Sequence, residues 1–369
     1  MAEPLKNQFG EDIARKIAVM TAAVHPEFDS GAFLCEALEG YARLDLMARG
    51  RKIAAALRSH LPPDYAEATE ILIASFGPRT ELTQGWGMAP FLYLPHSFFI
   101  AQFGLGHFAL SMRAQYELTQ RFTAEFSIRP YLEHHRDATL DMLKGWARDP
   151  SVHVRRLVSE GTRPRLPWAP RLRDFQTDPR PVLELLELMR DDPEPYVRRS
   201  VANNLNDIGK DHPDILLDTA QRWLEDAPLE RQRLIRHALR TAVKSGDSRA
   251  LALLGFGEKV LIGISNIEMT PQQAIVGEAV RIAFDLVNPT SAPQRVLADL
   301  KVFYPKANGQ LGPKVFRLKS LELAPGATLR LQKTVSFAPM TTRRHYPGTH
   351  RVEVLLNGTA YALGEFELT

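Results

Sequence analysis

Two segments of similar sequence lie between Trp146 and Asp211. The first, DPSVHVRRLVSEGTR, occupies residues 149–163, and the second, DPEPYVRRSVANNLN, occupies residues 192–206. Their arginine pairs begin at Arg155 and Arg198, a spacing within the period of roughly 40 to 47 residues that is typical of HEAT-type helical repeats. Each Asp-Pro dipeptide predicts a helix start, with Asp as N-cap and Pro in the first turn. The stretch therefore predicts a helical-repeat solenoid.

A weaker third copy lies upstream, where RFTAE at residues 121–125 matches RLVSE at residues 156–160. The three copies place Glu125, Glu160 and Asn203 at one equivalent helix position, and Asp207 follows Asn203 by one helical turn. Equivalent positions of a solenoid line one concave surface. We therefore expect a row of carboxylates on that surface.

Charge distribution says more than the total, which is only +3 over 369 residues. Residues 153–173 contain a single acid, Glu160, and six arginines, at positions 155, 156, 163, 165, 171 and 173. Such a patch attracts polyanions such as nucleic acid, although a solvated helix face is the alternative. The hydrophobic content of 44% and charged content of 24% are typical of a soluble globular protein.

Several classes of protein are not supported by any motif. The single cysteine, Cys35, excludes an intramolecular disulfide and a cysteine-rich metal site. No metal-binding, Walker-type or nucleophile-elbow motif occurs. The first residues lack a signal pattern, and the longest apolar stretch, 98–112, is too short to span a bilayer. We therefore expect a cytoplasmic protein without membrane contact.

The hydrophobic period changes from helical to alternating after Val260. Val280, Ile282, Phe284 and Leu286 alternate with less apolar residues, and Gly- or Pro-containing turn signals separate further runs of this kind. About seven strands in roughly 110 residues predict an immunoglobulin-like sandwich. We thus expect an all-α HEAT-like solenoid over residues 1–257, followed by an all-β immunoglobulin-like sandwich over residues 258–369.

The residue types of the repeats suit one reaction class. Carboxylates stabilise the oxocarbenium-like transition state of glycosidic cleavage or activate water. Trp168, in a loop stiffened by Pro164, Pro167 and Pro170, is suited to stack on a cationic base, and arginines bind the flanking phosphates. This set favours hydrolysis of an N-glycosidic bond in alkylated DNA. The alternative, structural ion pairs between repeats, fits the same residue types.

Three segments resemble the bacterial AlkC alkylation-repair glycosylases. They are EFSIRPYL at 125–132, HVRRLVSEGTRPRLPWA at 153–169 and YVRRSVANNLNDIGKDHP at 196–213. The resemblance extends over roughly residues 5–257, and the C-terminal part is similar to the immunoglobulin-like extension of one AlkC subgroup. It implies a monofunctional, cofactor-free glycosylase that acts on cationic bases, chiefly 3-methyladenine and 3-methylcytosine, in double-stranded DNA without flipping them.

The same resemblance implies a set of site residues. By motif match the catalytic cluster is Glu125, Glu160, Trp168 and Asp207, with Glu160 our first choice to face the sugar and water. The residues expected to contact DNA are Arg155, Arg156, Arg163, Arg165, Arg198, Arg199, Asn203, Lys210, Arg343 and Arg344. We expect a nucleoid-associated monomer.

Two other functions remain open. A non-catalytic HEAT scaffold would bind protein and show no lesion selectivity. A damage sensor would bind lesion-containing DNA and leave the base attached. Release of methylated base by the purified protein separates both from a glycosylase.

Overall fold

The computed structural model describes residues 5–83, 85, 87–340 and 344–369, which form sixteen α-helices followed by eight β-strands. This order confirms the predicted change from helical to alternating hydrophobic period. The chain divides into two compact units. One contains the residues up to Leu216 together with Asp226–Ala238, and the other contains Leu217–Glu225 and Leu239–Thr369.

The helices are short, and none of those described combines the length and apolar content needed to cross a membrane. They are α1 (Glu11–Val24), α2 (Ser30–Leu38), α3 (Leu46–His60), α4 (Tyr65–Ser75), α5 (Leu94–Phe103), α6 (Phe108–Thr119), α7 (Ile128–His134), α8 (Arg136–Trp146), α9 (Val152–Gly161), α10 (Arg173–Thr177), α11 (Arg180–Met189), α12 (Pro195–Ile208), α13 (Pro213–Leu224), α14 (Leu229–Ala238), α15 (Arg240–Ser245) and α16 (Ser248–Leu253).

The two similar segments form α9 and α12, which pack against each other, and α12 also contacts α14. The apolar residues at helical spacing, such as Val154 and Leu157 on α9 and Val201 on α12, are buried. These residues face the neighbouring helices, so polar residues elsewhere on the same helices are left to form the site.

The predicted helix caps differ in detail. Asp149 accepts a hydrogen bond from the backbone N–H of Ser151 (2.7 Å), and Asp192 accepts one from that of Glu194 (2.9 Å). These contacts are Asx turns. Ser151 and Glu194 occupy the N-cap positions, and Pro195 begins α12. The Asp-Pro dipeptides therefore close the preceding loops and do not cap the helices themselves.

The predicted third copy is wrong in one respect, because Glu125 does not lie on a helix. It occupies a turn before α7. The hydroxyl of Thr123 accepts a hydrogen bond from the backbone N–H of Glu125 at 3.2 Å and donates one to its carboxylate at 3.0 Å. This local pairing competes with helical hydrogen bonding and holds the turn.

The C-terminal strands form two sheets. They are β1 (Gly263–Thr270), β2 (Gln273–Ala274), β3 (Ala279–Val287), β4 (Gln294–Pro305), β5 (Leu311–Leu323), β6 (Thr328–Ser336), β7 (Gly348–Leu356) and β8 (Thr359–Leu368). A three-stranded sheet has the order β1-β3-β6, and a five-stranded sheet has the order β2-β8-β7-β4-β5. The alternating residues Val280, Ile282, Phe284 and Leu286 are all buried in the core of this sandwich, as predicted.

The helical unit also buries a histidine that has no hydrogen-bond partner among the described residues. His96, on α5, is 1% exposed, and neither ring nitrogen is bonded. The rings of Phe76 and Tyr93 lie within 5.6 Å of it, between centroids. Burial lowers the pKa of His96 to about 3, so the ring is neutral in the folded protein.

This burial predicts a pH-dependent loss of stability. The unfolded chain takes up a proton at His96 near pH 6.5 and the folded chain does not, so the free energy of unfolding falls as pH drops below 6.5. Between pH 7 and pH 5 the loss from this residue is about 2 kcal/mol. Urea unfolding should show a smaller loss in His96→Leu. His134→Leu, at an exposed position, should keep the wild-type loss, and equal losses in both variants would contradict the assignment.

Candidate active site

The centre of the candidate site is Glu160 on α9, which lies between two arginines. Arg156 lies one turn before it, and Arg163 follows just after the helix ends. Arg163 Nη1 donates to Glu160 Oε1 at 2.6 Å, and Arg156 Nη2 lies 3.6 Å from the same oxygen. Both arginines reach further, each to a second carboxylate.

Arg156 connects Glu160 to Glu125. Its Nη1 donates to Glu125 Oε2 at 2.6 Å and to the hydroxyl of Thr123 at 3.1 Å, and its guanidinium lies 5.5 Å from the ring centre of Tyr196. Burial alone would lower the pKa of Arg156, but Glu125 and Glu160 outweigh burial and raise it. Arg156 is therefore held charged between two carboxylates of different repeats.

Arg163 connects Glu160 to Asp207 on α12. Its Nε donates to Asp207 Oδ2 at 2.8 Å, and Lys210 Nζ donates to Asp207 Oδ1 at 2.7 Å. Asp207 itself is fully buried. We call the resulting series the ion-pair row, which alternates in charge in the order Glu125, Arg156, Glu160, Arg163, Asp207 and Lys210.

Glu160 is bonded through both of its carboxylate oxygens. Its second oxygen, Oε2, accepts from the hydroxyl of Ser200 on α12 at 2.6 Å. Burial would raise the pKa of Glu160, but Arg156 and Arg163 outweigh burial and hold it below its ordinary value. The carboxylate is thus a fixed negative charge and not a proton donor.

Glu125 differs from Glu160 and Asp207, the other acids of the ion-pair row, because it lines an open cavity. The cavity has a volume of about 200 Å³. Its walls include Glu125, Arg156 and the aromatic residues Phe91, Phe122, Phe126, Trp168 and Tyr196. Trp168 is 58% exposed, and its ring centre lies 6.4 Å from that of Phe91 at an interplanar angle of 60°. The structure therefore brings Trp168 and Glu125 to one cavity.

Three of the arginines predicted to contact DNA form ion pairs with carboxylates. Arg156 and Arg163 belong to the ion-pair row, and Arg155 forms two hydrogen bonds to Asp192 at 2.6 and 3.1 Å. Their side chains are between 10% and 18% exposed. Acids of neighbouring repeats occupy donor groups of all three arginines, so these side chains do not form an open basic surface, and their contact with DNA stays a prediction.

The other predicted contacts have mixed surroundings. Arg165 donates to Asp211 at 2.8 Å, and Arg198 donates to the backbone carbonyls of Asp192 and Pro193. In the C-terminal unit, Arg344 is exposed beside the ring of Tyr346, and Arg343 lies outside the described residues.

Arg199 is the exposed member of the second arginine pair. It lines a cavity of about 280 Å³ between α12 and α14, together with Arg198, Arg233 and His237. His237 Nε2 is 3.0 Å from Asn203 Oδ1. Arg233 precedes His237 by one turn, as Arg199 precedes Asn203 and Arg156 precedes Glu160. The repeat position of Glu160 on α9 is therefore occupied by Asn203 on α12 and by His237 on α14.

Ser200 and Tyr196 were not selected from the sequence. Ser200 occupies the repeat position of Leu157. A hydroxyl in place of a leucine at a position predicted to be buried would have indicated a polar role for Ser200. Tyr196 corresponds in the same way to His153. Among the described residues, no group of three or more histidine, cysteine or acidic side chains is arranged to hold a metal ion.

The ion-pair row predicts a large and pH-dependent cost for losing one cation. Arg163→Met leaves Glu160 and Asp207 buried without their shared partner, which costs about 3–5 kcal/mol. In wild type the lowered pKa of Glu160 adds stability that is lost as pH falls through that pKa. In the variant only Arg156 and Ser200 still oppose burial, so we expect the pKa of Glu160 to rise and protonation to relieve part of the strain.

The deficit of Arg163→Met in the free energy of unfolding should therefore be smaller at pH 5 than at pH 7.5, measured by urea titration. Arg180→Met removes an exposed pair with Asp178 and should have no measurable effect at either pH. A deficit that is small, or independent of pH, would contradict the coupling.

Comparisons with known proteins identify the family of this chain. The family profile described as DNA alkylation repair enzyme matches residues 122–245, and that of the YhaZ C-terminal Ig-like domain matches residues 263–369. The chain is 34% identical over 355 residues to the uncharacterized protein YhaZ of Bacillus subtilis, covering 96% of both chains.

A solved structure gives the same result. The alkylpurine DNA glycosylase AlkC of Pseudomonas fluorescens, bound to DNA containing an abasic site analog, matches with a TM-score of 0.91 and 38% sequence identity. The match covers 100% of both chains. The chain therefore belongs to the AlkC-type DNA alkylation-repair glycosylases, in the subgroup that carries a C-terminal immunoglobulin-like domain.

Proposed function

We propose that this protein hydrolyses the N-glycosidic bond of cationic alkylated bases, chiefly 3-methyladenine and 3-methylcytosine, in double-stranded DNA. The observation that carries the proposal is the ion-pair row, which ends at Glu125 in the wall of the Trp168 cavity. The relative from Pseudomonas fluorescens, an alkylpurine DNA glycosylase bound to DNA, supports the reaction class and the DNA partner.

The chemistry requires negative charge near the sugar. Water adds to C1′ as the bond from C1′ to the base nitrogen breaks, and the electrons of that bond neutralise the positive ring of the leaving base. The proton of the water passes to a carboxylate. Positive charge develops on the sugar in the transition state, and a fixed carboxylate stabilises it.

The geometry favours Glu125 over Glu160 as the carboxylate that meets the substrate. Glu125 lines the cavity, and among the described residues only its Oε2 accepts hydrogen bonds. Both oxygens of the buried Glu160 are bonded. We therefore propose that Glu125 activates the water. In this proposal Glu160 and Asp207 hold Arg156 and Arg163 in place, and their buried charges add to the negative potential at the cavity. This reverses the order expected from sequence.

The same features select cationic bases. A cationic base leaves as a neutral ring and needs no added proton or metal ion. Glu160 is held ionised by Arg156 and Arg163 and supplies no proton to a neutral base. The exposed face of Trp168 can stack on a positive ring by cation–π attraction. Substrate charge, and not base shape alone, then determines which lesions are removed.

We further propose that the lesion stays in the DNA stack. Enzymes that flip a base commonly read it in a pocket between aromatic or apolar side chains. Phe91 and Trp168 are inclined at 60°, so these two rings form no parallel slot for an extruded base. An open cavity beside an exposed tryptophan suits approach to the sugar from the groove.

The cavity of Arg199 and Arg233 is the proposed phosphate-binding surface of the helical unit. Arg198, Arg199 and Arg233 supply three guanidinium groups, and Glu230 is the single acid in the lining. Guanidinium groups bind phosphate oxygens in a bidentate manner. At the equivalent repeat positions Asn203 and His237 replace the acid. We therefore expect Arg199, and the exposed Arg233, whose contact with Glu230 is long at 3.9 Å, to bind the DNA backbone.

The first prediction from this function concerns product release. The purified protein should release 3-methyladenine and 3-methylcytosine from methylated duplex DNA at the same rate with and without EDTA. It should not release hypoxanthine, which is a neutral base. Chromatography of the released bases is the measurement. Inhibition by EDTA that added metal reverses would contradict the proposal.

The variant that tests the role of the carboxylate is Glu125→Gln, which keeps the shape of the side chain and removes its charge. Its single-turnover rate should fall roughly 100-fold or more, equivalent to about 2.7 kcal/mol of transition-state stabilisation. Lesion-selective binding by wild type without base release would indicate the damage sensor. No base release together with no selectivity for lesion-containing DNA would indicate the scaffold.

The second prediction concerns the phosphate-binding surface. Arg199→Gln and Arg233→Gln should weaken binding of undamaged and damaged duplex alike, and each should lower the salt dependence of the affinity by about one unit. Fluorescence anisotropy of labelled duplex over a salt series is the measurement. Arg249→Gln, at an exposed site on α16, is the control. A loss confined to damaged DNA would contradict a phosphate contact.

A further inference from the structure

Trp168 has a backbone conformation that few residues adopt. Its φ angle is 66°, in the left-handed region, where side chains other than glycine are strained. Its indole is nevertheless 58% exposed, so burial of the ring does not hold it in place. Contacts elsewhere in the surrounding segment, residues 162–172, must oppose the strain. We call this segment the Trp168 loop.

Backbone contacts within the loop are few. Leu172 N–H donates to the carbonyl of Pro164 at 3.2 Å, and Ala169 N–H lies 3.5 Å from the carbonyl of Leu166. Pro164, Pro167 and Pro170 have no N–H to donate. The side chains of Leu166 and Leu172 are buried, which fixes the base of the loop but not its tip.

Arg129 supplies the missing contacts from another segment. Its guanidinium donates to the carbonyl of Pro170 through Nε at 3.1 Å and Nη2 at 2.5 Å. Its Nη1 donates to the carbonyls of Gly161 at 3.1 Å and Arg163 at 2.9 Å. One side chain thus joins the chain before Trp168 to the chain after it.

The position of Arg129 couples the loop to the rest of the site. It lies on α7, four residues after Glu125, and is 3% exposed. Glu125 and Trp168 line the same cavity. The carbonyl of Arg163 accepts from Arg129 while the side chain of Arg163 bridges Glu160 and Asp207. A shift of Arg129 would therefore change the distance between Trp168 and the carboxylates.

We propose that Arg129 is a positioning residue that holds the Trp168 loop at a fixed distance from Glu125. It does not touch the substrate. Its planar group meets three carbonyls at once, which the single ammonium of a lysine cannot reproduce. Burial lowers the pKa of Arg129 to about 10, which leaves it charged at neutral pH.

The chain contains a matched control for this role. Arg49 on α3 is also buried, at 7% exposure. Within the described part of the chain it too donates only to backbone carbonyls, those of Lys6, Phe9, Ala42 and Leu44. Arg49→Met therefore removes a similar set of hydrogen bonds from the same unit without touching the Trp168 loop.

The experiment compares Arg129→Met, Arg129→Lys and Arg49→Met in the full-length protein. Single-turnover release of 3-methyladenine should fall roughly 10- to 100-fold in Arg129→Met, because misplacement of positioning groups by about 1 Å has effects of this size. Arg129→Lys should fall between it and wild type. The dissociation constant for duplex DNA should change less than threefold. Arg49→Met should lose stability and keep the wild-type rate.

A second readout does not depend on catalysis. Acrylamide quenching of Trp168 is obtained by subtracting the fluorescence of the matched Trp168→Phe protein in each background. Quenching of Trp168 should increase in Arg129→Met and stay at the wild-type value in Arg49→Met. Unchanged quenching together with an unchanged rate in Arg129→Met would overturn the proposal.

The proposal stays testable if the protein releases no base or if the Arg129 variants do not fold. The activity readout rests on the proposed function, but quenching tests the loop even if no base is released. If neither Arg129 variant folds, the anisotropy decay of Trp168 in the wild-type protein is the test. A decay without nanosecond local motion supports the proposal, and a mobile indole overturns it.

Discussion

The ion-pair row is the interaction on which the rest of the site depends. Glu160 and Asp207 are almost fully buried, and carboxylates in such surroundings repel one another and lose hydration. Arg156, on α9, and Arg163, just after its end, separate the acids, and each cation meets two carboxylates. Buried ion pairs seldom stabilise a fold better than apolar residues of similar size. Their use here is best explained by a requirement for fixed negative charge.

The repeat architecture distributes two tasks along one surface. The same position is Glu160 on α9, Asn203 on α12 and His237 on α14, each preceded one turn earlier by an arginine. Where the position is acidic, the arginine is consumed in an ion pair. Where it is neutral, Arg199 and Arg233 line an open basic cavity. A change of one residue per repeat thereby separates the proposed catalytic part from the proposed phosphate-binding part.

The aromatic cavity completes the electrostatic arrangement. Phe91, Phe122, Trp168 and Tyr196 line the same cavity as Glu125. The interaction of a carboxylate with a developing cation strengthens when a bound substrate displaces water from such a cavity. This effect requires a fixed geometry. The Trp168 loop is short of internal hydrogen bonds, so its position depends on contacts from a neighbouring repeat. Rigidity of the site is therefore a property of the packed helices and not of the loop alone.

The sequence by itself determined the architecture and selected the residues of the candidate site. The repeated Val-Arg-Arg segments and the alternation from Val280 to Leu286 predicted helices and then strands, because hydrophobic periodicity is a local property. Motif resemblance selected Glu125, Glu160, Trp168 and Asp207. Tertiary structure decided which arginines are free. Arg155, Arg156 and Arg163 read as an open basic surface because the sequence near them is poor in acids, yet Asp192, Glu125 and Asp207 reach them from other repeats. Ion pairing depends on distances between segments some 30 to 45 residues apart, and only the packing of the helices sets those distances.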